Sequence, residues 1–207
     1  MSCLRGRNGK GPSPLEEVLR AREERTDLRR ALGLELLDPR RYLAGPLALV
    51  QGGLNVPGWP KGLKGGMERL EEALSLALEG LRWQRLAIRQ DPLGPFLLAA
   101  VERDPMEVKG RCVAAEEGLP WGRLVDLDVF FPLDLSRPIK RHALGSPERR
   151  CLMCRRPAKE CAQAARHHPE ALRRRALLLW GFPEHFLQVF PPELEGQKGT
   201  PGAPREA

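Results

Sequence analysis

A chain of 207 residues, 42% hydrophobic and 29% charged, is long enough to bury a core in one domain and too apolar to be an intrinsically disordered polymer. It has no apolar run near the ~20 residues of a membrane helix, and its start (MSCLRGRNGKGPSP) lacks the apolar stretch of a secretory signal. The net charge is +7, concentrated between 137 and 175, where twelve Lys/Arg face only Glu148, Glu160 and Glu170.

In chain order, residues 1–13 read as a disordered Gly/Pro/Ser-rich lead-in, 14–190 as a single domain, and 191–207 as a disordered tail. Leu15, Val18, Leu19 and Arg22 lie at helical spacing behind Ser13-Pro14, predicting a helix over about 14–32. The apolar run at 46–51 (PLALVQ) predicts a buried strand. It feeds a Gly/Pro-rich loop at 52–62, which either holds backbone amides for a ligand or is only a tight connection. Leu70, Ala73, Leu74, Ala77, Leu78 and Leu81 form one apolar stripe and predict a helix over 66–83. Segments 96–101 and 107–115 each fit a strand, and Gly118 to Gly122 fits a turn. The strongest strand pattern is 123–131 (RLVDLDVFF), with Leu124, Asp126 and Asp128 on one face and Val125, Leu127 and Val129 on the other. A last helix is expected from Pro169 to about Trp180. Helices and strands without a regular βαβ repeat make the fold α+β. There is no P-loop and no GxGxxG.

Two aspartates at i and i+2 of a strand project from one face, roughly 6–7 Å apart at their bases. If that face is covered, two unpaired negative charges there demand a cation. Mg²⁺ fits, because it takes one or two carboxylates and leaves its other positions to water and phosphates. The other reading is the solvent face of an edge strand, where alternating Asp is tolerated.

Cys151, Cys154, Cys161 and His167 offer three thiolates and an imidazole. Such a set can close a tetrahedral zinc site, though the spacing is not that of a standard finger and the same residues could simply pack or lie exposed. Five cysteines without a secretory signal argue against a disulfide framework and for a reducing, cytoplasmic setting. The basic segment suits phosphate, nucleic acid or an acidic protein, or is merely a solvated surface. One tyrosine and six phenylalanines are too few for a single-strand-binding platform, which favours phosphate or an acidic partner.

The Asp126-Leu-Asp-Val pattern is similar to the catalytic strand of the DNA polymerase β-like nucleotidyltransferases, although Gly122-Arg123 lies closer to it than that superfamily's Gly-Gly/Ser signature. This resemblance implies a nucleotidyltransferase-like mixed sheet with packed helices, with Glu116 and Asp134 as candidates for a third carboxylate. Taken together, Gly122-Arg-Leu-Val-Asp-Leu-Asp-Val, Arg150-Cys-Leu-Met-Cys, Cys161 and His167 resemble the citrate lyase holo-acyl-carrier-protein synthase family, also called apo-citrate lyase phosphoribosyl-dephospho-CoA transferase. So do the arginine-rich helix at 19–25 and Asn55-Val-Pro-Gly-Trp-Pro-Lys61, with Lys109 and Glu116 placed on the strand before the acidic motif. The sequence departs from relatives at Leu119 and Gln163.

That resemblance implies transfer of a 5′-phosphoribosyl-3′-dephospho-CoA group from its triphosphate precursor, 2′-(5″-triphosphoribosyl)-3′-dephospho-CoA, to a serine of the apo citrate lyase acyl carrier protein, with release of diphosphate. It implies Mg²⁺ on Asp126 and Asp128, and precursor or phosphate binding by Gly122, Arg123, Lys61, Asn55, Gly58, Arg22 and Arg150. Neither nucleic acid nor membrane is an expected partner. Two other readings stay open: the same transfer to a malonate decarboxylase carrier protein, and a non-catalytic, zinc-stabilised nucleic-acid-binding module.

Overall fold

The computed structural model describes residues 13–37 and 45–183. Cys3, the lead-in at 1–12 and the tail at 191–207 lie outside the described residues. Helix α1 (Pro14–Leu36) begins with a reciprocal cap: the Glu16 amide donates to Ser13 Oγ (3.3 Å) while Glu16 Oε2 accepts from the Ser13 amide (2.6 Å). Strand β1 (Ala48–Leu54) follows, then helix α2 (Gly66–Ala77), strands β2 (Trp83–Asp91) and β3 (Gly94–Val101), and helix α3 (Pro105–Gly118). A 3₁₀ turn at Gly122–Leu124 leads into strand β4 (Val125–Phe130), and helices α4 (Ala158–Gln163) and α5 (Pro169–Leu179) close the described chain.

The four strands form one sheet in the order β2-β3-β1-β4, and every pairing is antiparallel. The α+β class holds, and the expected mixed sheet is corrected to an antiparallel one. Three local expectations are corrected as well. The helix predicted over 66–83 stops at Ala77, and Trp83 opens β2, an edge strand whose side chains are largely half-buried or exposed. The strand predicted at 107–115 is helix α3: Asp104 caps it by accepting from the Met106 and Glu107 amides, and Pro105 occupies its first turn. Lys109 and Glu116 therefore stand on a helix. Leu124 lies in the 3₁₀ turn and joins the core on the far side of the sheet from Asp126 and Asp128, and β1 runs through Gly52 and Gly53 to Leu54.

The sheet is covered on both faces. Val50, Leu97, Ala99, Val125, Leu127 and Val129 pack against Leu70, Leu74, Val108 and Cys112 of α2 and α3 in the main core. On the other face Leu49, Phe96, Leu98, Phe130 and Leu135 meet Leu28, Leu32 and Leu36 of α1. Two arginines fasten α1 there. Arg25 forks onto Asp91 (2.6 and 2.7 Å) and lies over the Phe96 ring at 4.9 Å. Arg29 donates to the Leu135 carbonyl (3.0 Å) and to Gln51 Oε1, with its guanidinium 4.3 Å above the Phe130 ring. Such forks combine charge-assisted hydrogen bonds with stacking, which lysine cannot do.

Candidate active site

Alternation along β4 buries Val125, Leu127 and Val129 and leaves Asp126 and Asp128 half-buried on the α1 face. Their β1 partners are Gly53, which has no side chain to crowd Asp126, and Gln51, which is held by Arg29. Asp128 is the more enclosed of the two: burial, and then the neighbouring Asp126, push its carboxyl up from 3.8 to about 6, while Lys109, Lys140 and Arg149 pull the other way. A carboxylate pair that resists holding two charges is a site that gains from a cation. Both side chains are acceptor-only oxygen ligands, the donor type that Mg²⁺ takes.

β4 is an edge strand, and its outward backbone groups need partners. Helix α3 supplies them between the two aspartates: Lys109 Nζ donates to the Leu127 carbonyl (2.9 Å), and Glu116 Oε1 accepts from the Leu127 amide (2.7 Å). Seven residues is close to two helical turns, so Lys109 and Glu116 reach from one side of α3, and both are buried. Glu116 also pairs with Arg141 and Arg149, each at 2.5 Å, and Arg149 Nη2 continues to Asp126 Oδ1 at 3.0 Å. With its oxygens committed to two guanidiniums and an amide, Glu116 serves as the anchor of an arginine pair. Asp134, the other candidate for a third carboxylate, bonds Ser136 in an exposed turn.

Arg123, Arg141, Arg149 and Arg150 line a cavity of about 320 Å³ with Gly122 and Glu116. Burial lowers the pKa of Arg123, helped by the nearby Arg149 and Arg141, while Glu116 pulls the other way. Arg149 Nη1 is buried with no hydrogen-bond partner among the described residues. A fixed guanidinium donor of that kind suits a phosphate oxygen. Gly122 is there for steric reasons: a Cβ at this position would fall within 2.8 Å of the Glu116 carbonyl carbon.

Of the other residues singled out by sequence, Asn55 sits just past the end of β1, where its amide donates to the Leu124 carbonyl (2.8 Å) beside the 3₁₀ turn. Gly58 adopts φ +73°, a left-handed conformation suited to glycine. Lys61 turns back to the Val56 carbonyl (2.9 Å), and burial and then Arg173 lower its pKa. Arg173 of α5 clamps this loop through the carbonyls of Pro57 (3.2 Å) and Pro60 (2.8 Å). Arg22 is exposed on α1, in a shallow groove with Leu19, Thr26 and Arg30, and no recorded contact among the described residues joins it to the aspartates.

The sequence reading did not single out Arg141, Arg149, Arg173 or Lys140. Arg149 adjoins Arg150 and was legible as part of the basic segment, but its aim at Asp126 depends on a fold that composition does not reveal.

Cys151, Cys154, Cys161 and His167 come together, with one ligand atom from each lying within 4.8 Å of all the others. Cys154 Sγ is 3.5 Å from both Cys161 Sγ and His167 Nε2. Tetrahedral zinc with Zn–S near 2.3 Å and Zn–N near 2.0 Å separates its ligand atoms by roughly 3.5–3.8 Å, so the donor set fits a metal and the two Cys154 distances match that spacing.

Residues 13–178 match the family described as apo-citrate lyase phosphoribosyl-dephospho-CoA transferase. The chain belongs to this family. A relative from Streptococcus pyogenes serotype M18 (strain MGAS8232), named "Probable apo-citrate lyase phosphoribosyl-dephospho-CoA transferase", is 33% identical over 165 residues, covering 76% of this chain and 80% of the relative. One of the same name from Vibrio cholerae serotype O1 (strain M66-2) is 32% identical over 134 residues, covering 61% and 73%. The matched span takes in both aspartates, the arginine-lined cavity and the whole Cys/His cluster. Among the described residues of this transferase-family chain, no helix is long and apolar enough to cross a membrane.

Proposed function

We propose that this chain transfers the 5′-phosphoribosyl-3′-dephospho-CoA group from its triphosphate precursor to a serine hydroxyl of the apo citrate lyase acyl carrier protein. The serine oxygen attacks the phosphorus next to the ribose and gives up its proton to solvent, the bond to the bridging oxygen breaks, and diphosphate leaves. The observation that carries this reading is a carboxylate pair on β4 with an arginine-lined cavity beside it, in a chain that belongs to a family named for this transfer.

Each part has a role in that reaction. Asp126 and Asp128 hold Mg²⁺, which when bound supplies positive charge to the triphosphate. Arg123, Arg149 and Arg150 take the diphosphate end, where negative charge accumulates as the bond breaks. Asn55, Gly58 and Lys61 belong to the loop assigned to the precursor, and Gly122 allows the 3₁₀ turn to pack on α3. The Cys/His cluster would hold zinc, its three thiolates and one imidazole being the ligand set of a structural site. The fold is of the nucleotidyltransferase type, and the chain works in the cytoplasm.

Diphosphate release tests it. With precursor, apo carrier and Mg²⁺, release should require the carrier and fall at least a thousandfold in Asp126→Asn. Release by Asp126→Asn at the wild-type rate would remove the carboxylates from the mechanism.

A further inference from the structure

We infer that the Cys/His cluster is a metal clasp that sets the phosphate site, coupling zinc occupancy to diphosphate affinity. The inference rests on the zinc and diphosphate parts of the function proposed above, but not on the identity of the carrier.

The first observation concerns what holds the segment in place. From 140 to 168 only Cys161 is buried among the side chains. Leu152 is its main further contribution, packing half-buried against the core. The segment's regular structure is slight: a 3₁₀ turn at Arg141–Leu144, a hairpin closed by bonds from the Cys151 amide to the Arg156 carbonyl (2.8 Å) and from the Ala158 amide to the Arg149 carbonyl (2.7 Å), then the six-residue α4. Helices so short are marginal alone, and segments that bury so little apolar surface depend on a staple. Cys151 and Cys154 come from the hairpin, Cys161 from α4 and His167 from the lead into α5. One ion therefore joins three pieces that share almost no core.

The second observation is where those pieces lead. Two residues before Cys151, Arg149 bridges Glu116 and Asp126. Six residues after His167, Arg173 clamps the Pro57 and Pro60 carbonyls of the loop carrying Asn55 and Lys61. The cluster thus sits between an arginine on the carboxylate pair and an arginine on the precursor loop. With the ion bound, both arms are held in register. Without it, the ion pairs of Arg141 and Arg149 with Glu116 are the hairpin's main remaining tie, and Arg149 is aimed less firmly at Asp126.

The test uses the full chain and inorganic diphosphate in constant Mg²⁺. Zinc is measured by mass spectrometry of the digested protein, and diphosphate affinity by titration calorimetry. We expect one zinc per chain. Removal by a zinc-selective chelator should weaken diphosphate binding by about ten- to a hundredfold, the worth of a lost charge-assisted contact. Zinc readdition should restore it, while circular dichroism shows the helices retained. Cys154→Ser should match the stripped protein. Cys154→His, which keeps a ligand, should recover zinc and affinity together. Arg149→Lys should keep zinc and lose affinity to a similar degree, separating the clasp from the arginine it positions. Trypsin should cut after the exposed Arg155 faster in the stripped protein.

Wild-type protein that takes up no zinc would overturn the inference, as would zinc loss that leaves diphosphate affinity unchanged. If zinc and diphosphate prove coupled but no carrier is modified, the clasp stands and the proposed reaction falls.

Discussion

Replacing Asp128 by asparagine should stabilise the metal-free protein while destroying its activity. Burial and Asp126 raise the Asp128 carboxyl from 3.8 to about 6 in the fold. Between those values the folded chain binds more protons than the unfolded chain, so stability falls as pH rises through this window and the full cost is present above about pH 6. The difference corresponds to roughly 3 kcal/mol. An asparagine side chain carries no charge, so in EDTA at pH 8 the variant should be more stable by that amount. For a domain of this size that is a rise in melting temperature of roughly 6–12 °C. Below about pH 4 both proteins hold a neutral side chain there, and the gap should close. Mg²⁺ at pH 8 should raise the melting temperature of the wild type and leave Asp128→Asn almost unmoved. Differential scanning calorimetry at the two pH values, with EDTA or Mg²⁺, measures all of this. A variant no more stable than wild type at pH 8, or a gap independent of pH, would refute the picture of Asp128 as a carboxylate held in charge conflict.

Three further substitutions probe the supports of the site. Lys109→Met strands the Leu127 carbonyl and removes a cation that lowers the Asp128 pKa; urea melts should show a loss of about 1–3 kcal/mol, and the acid end of the pH–activity profile should move upward. Gly122→Ala forces a methyl onto the Glu116 carbonyl and should cost about 1–3 kcal/mol, with transfer falling because the 3₁₀ turn and Arg123 shift; unchanged stability would mean that the packing of α3 on this turn is misread. Arg173→Ala releases the Pro57 and Pro60 carbonyls; KM for the precursor should rise about tenfold, in keeping with a hydrogen bond to a charged group, while kcat and zinc content hold. A fall in kcat alone would reassign Arg173 to the chemistry.

Much of this was legible where local pattern and tertiary demand agree. The alternation in β4 predicted that Asp126 and Asp128 share a face, and Ser13-Pro14 predicted where α1 begins. Reading failed where they conflict. Val108, Cys112 and Val113, with Gly110 between them, look like strand residues, yet the Asp104-Pro105 start wins and α3 forms. Trp83 to Asp91 continues past an apolar helical stripe and has the mixed, polar surface of an edge strand, so its start was hidden. The roles of Lys109 and Glu116 were beyond sequence for a further reason. Their partner is the backbone of Leu127, and a backbone group left open by sheet topology has no signature in side-chain spacing. Arg149 was visible only as charge; its aim depends on the hairpin and the Cys/His cluster behind it.

The central claim is the transfer itself, and the intact mass of the carrier tests it most directly. Apo citrate lyase acyl carrier protein, incubated with the chain, the triphosphate precursor and Mg²⁺, should gain the mass of one phosphoribosyl-dephospho-CoA group on a serine, and should gain nothing with EDTA or with Asp126→Asn. An unmodified citrate lyase carrier, shown competent with another member of the family, would contradict the account, and a gain on the malonate decarboxylase carrier instead would keep the chemistry and change the client.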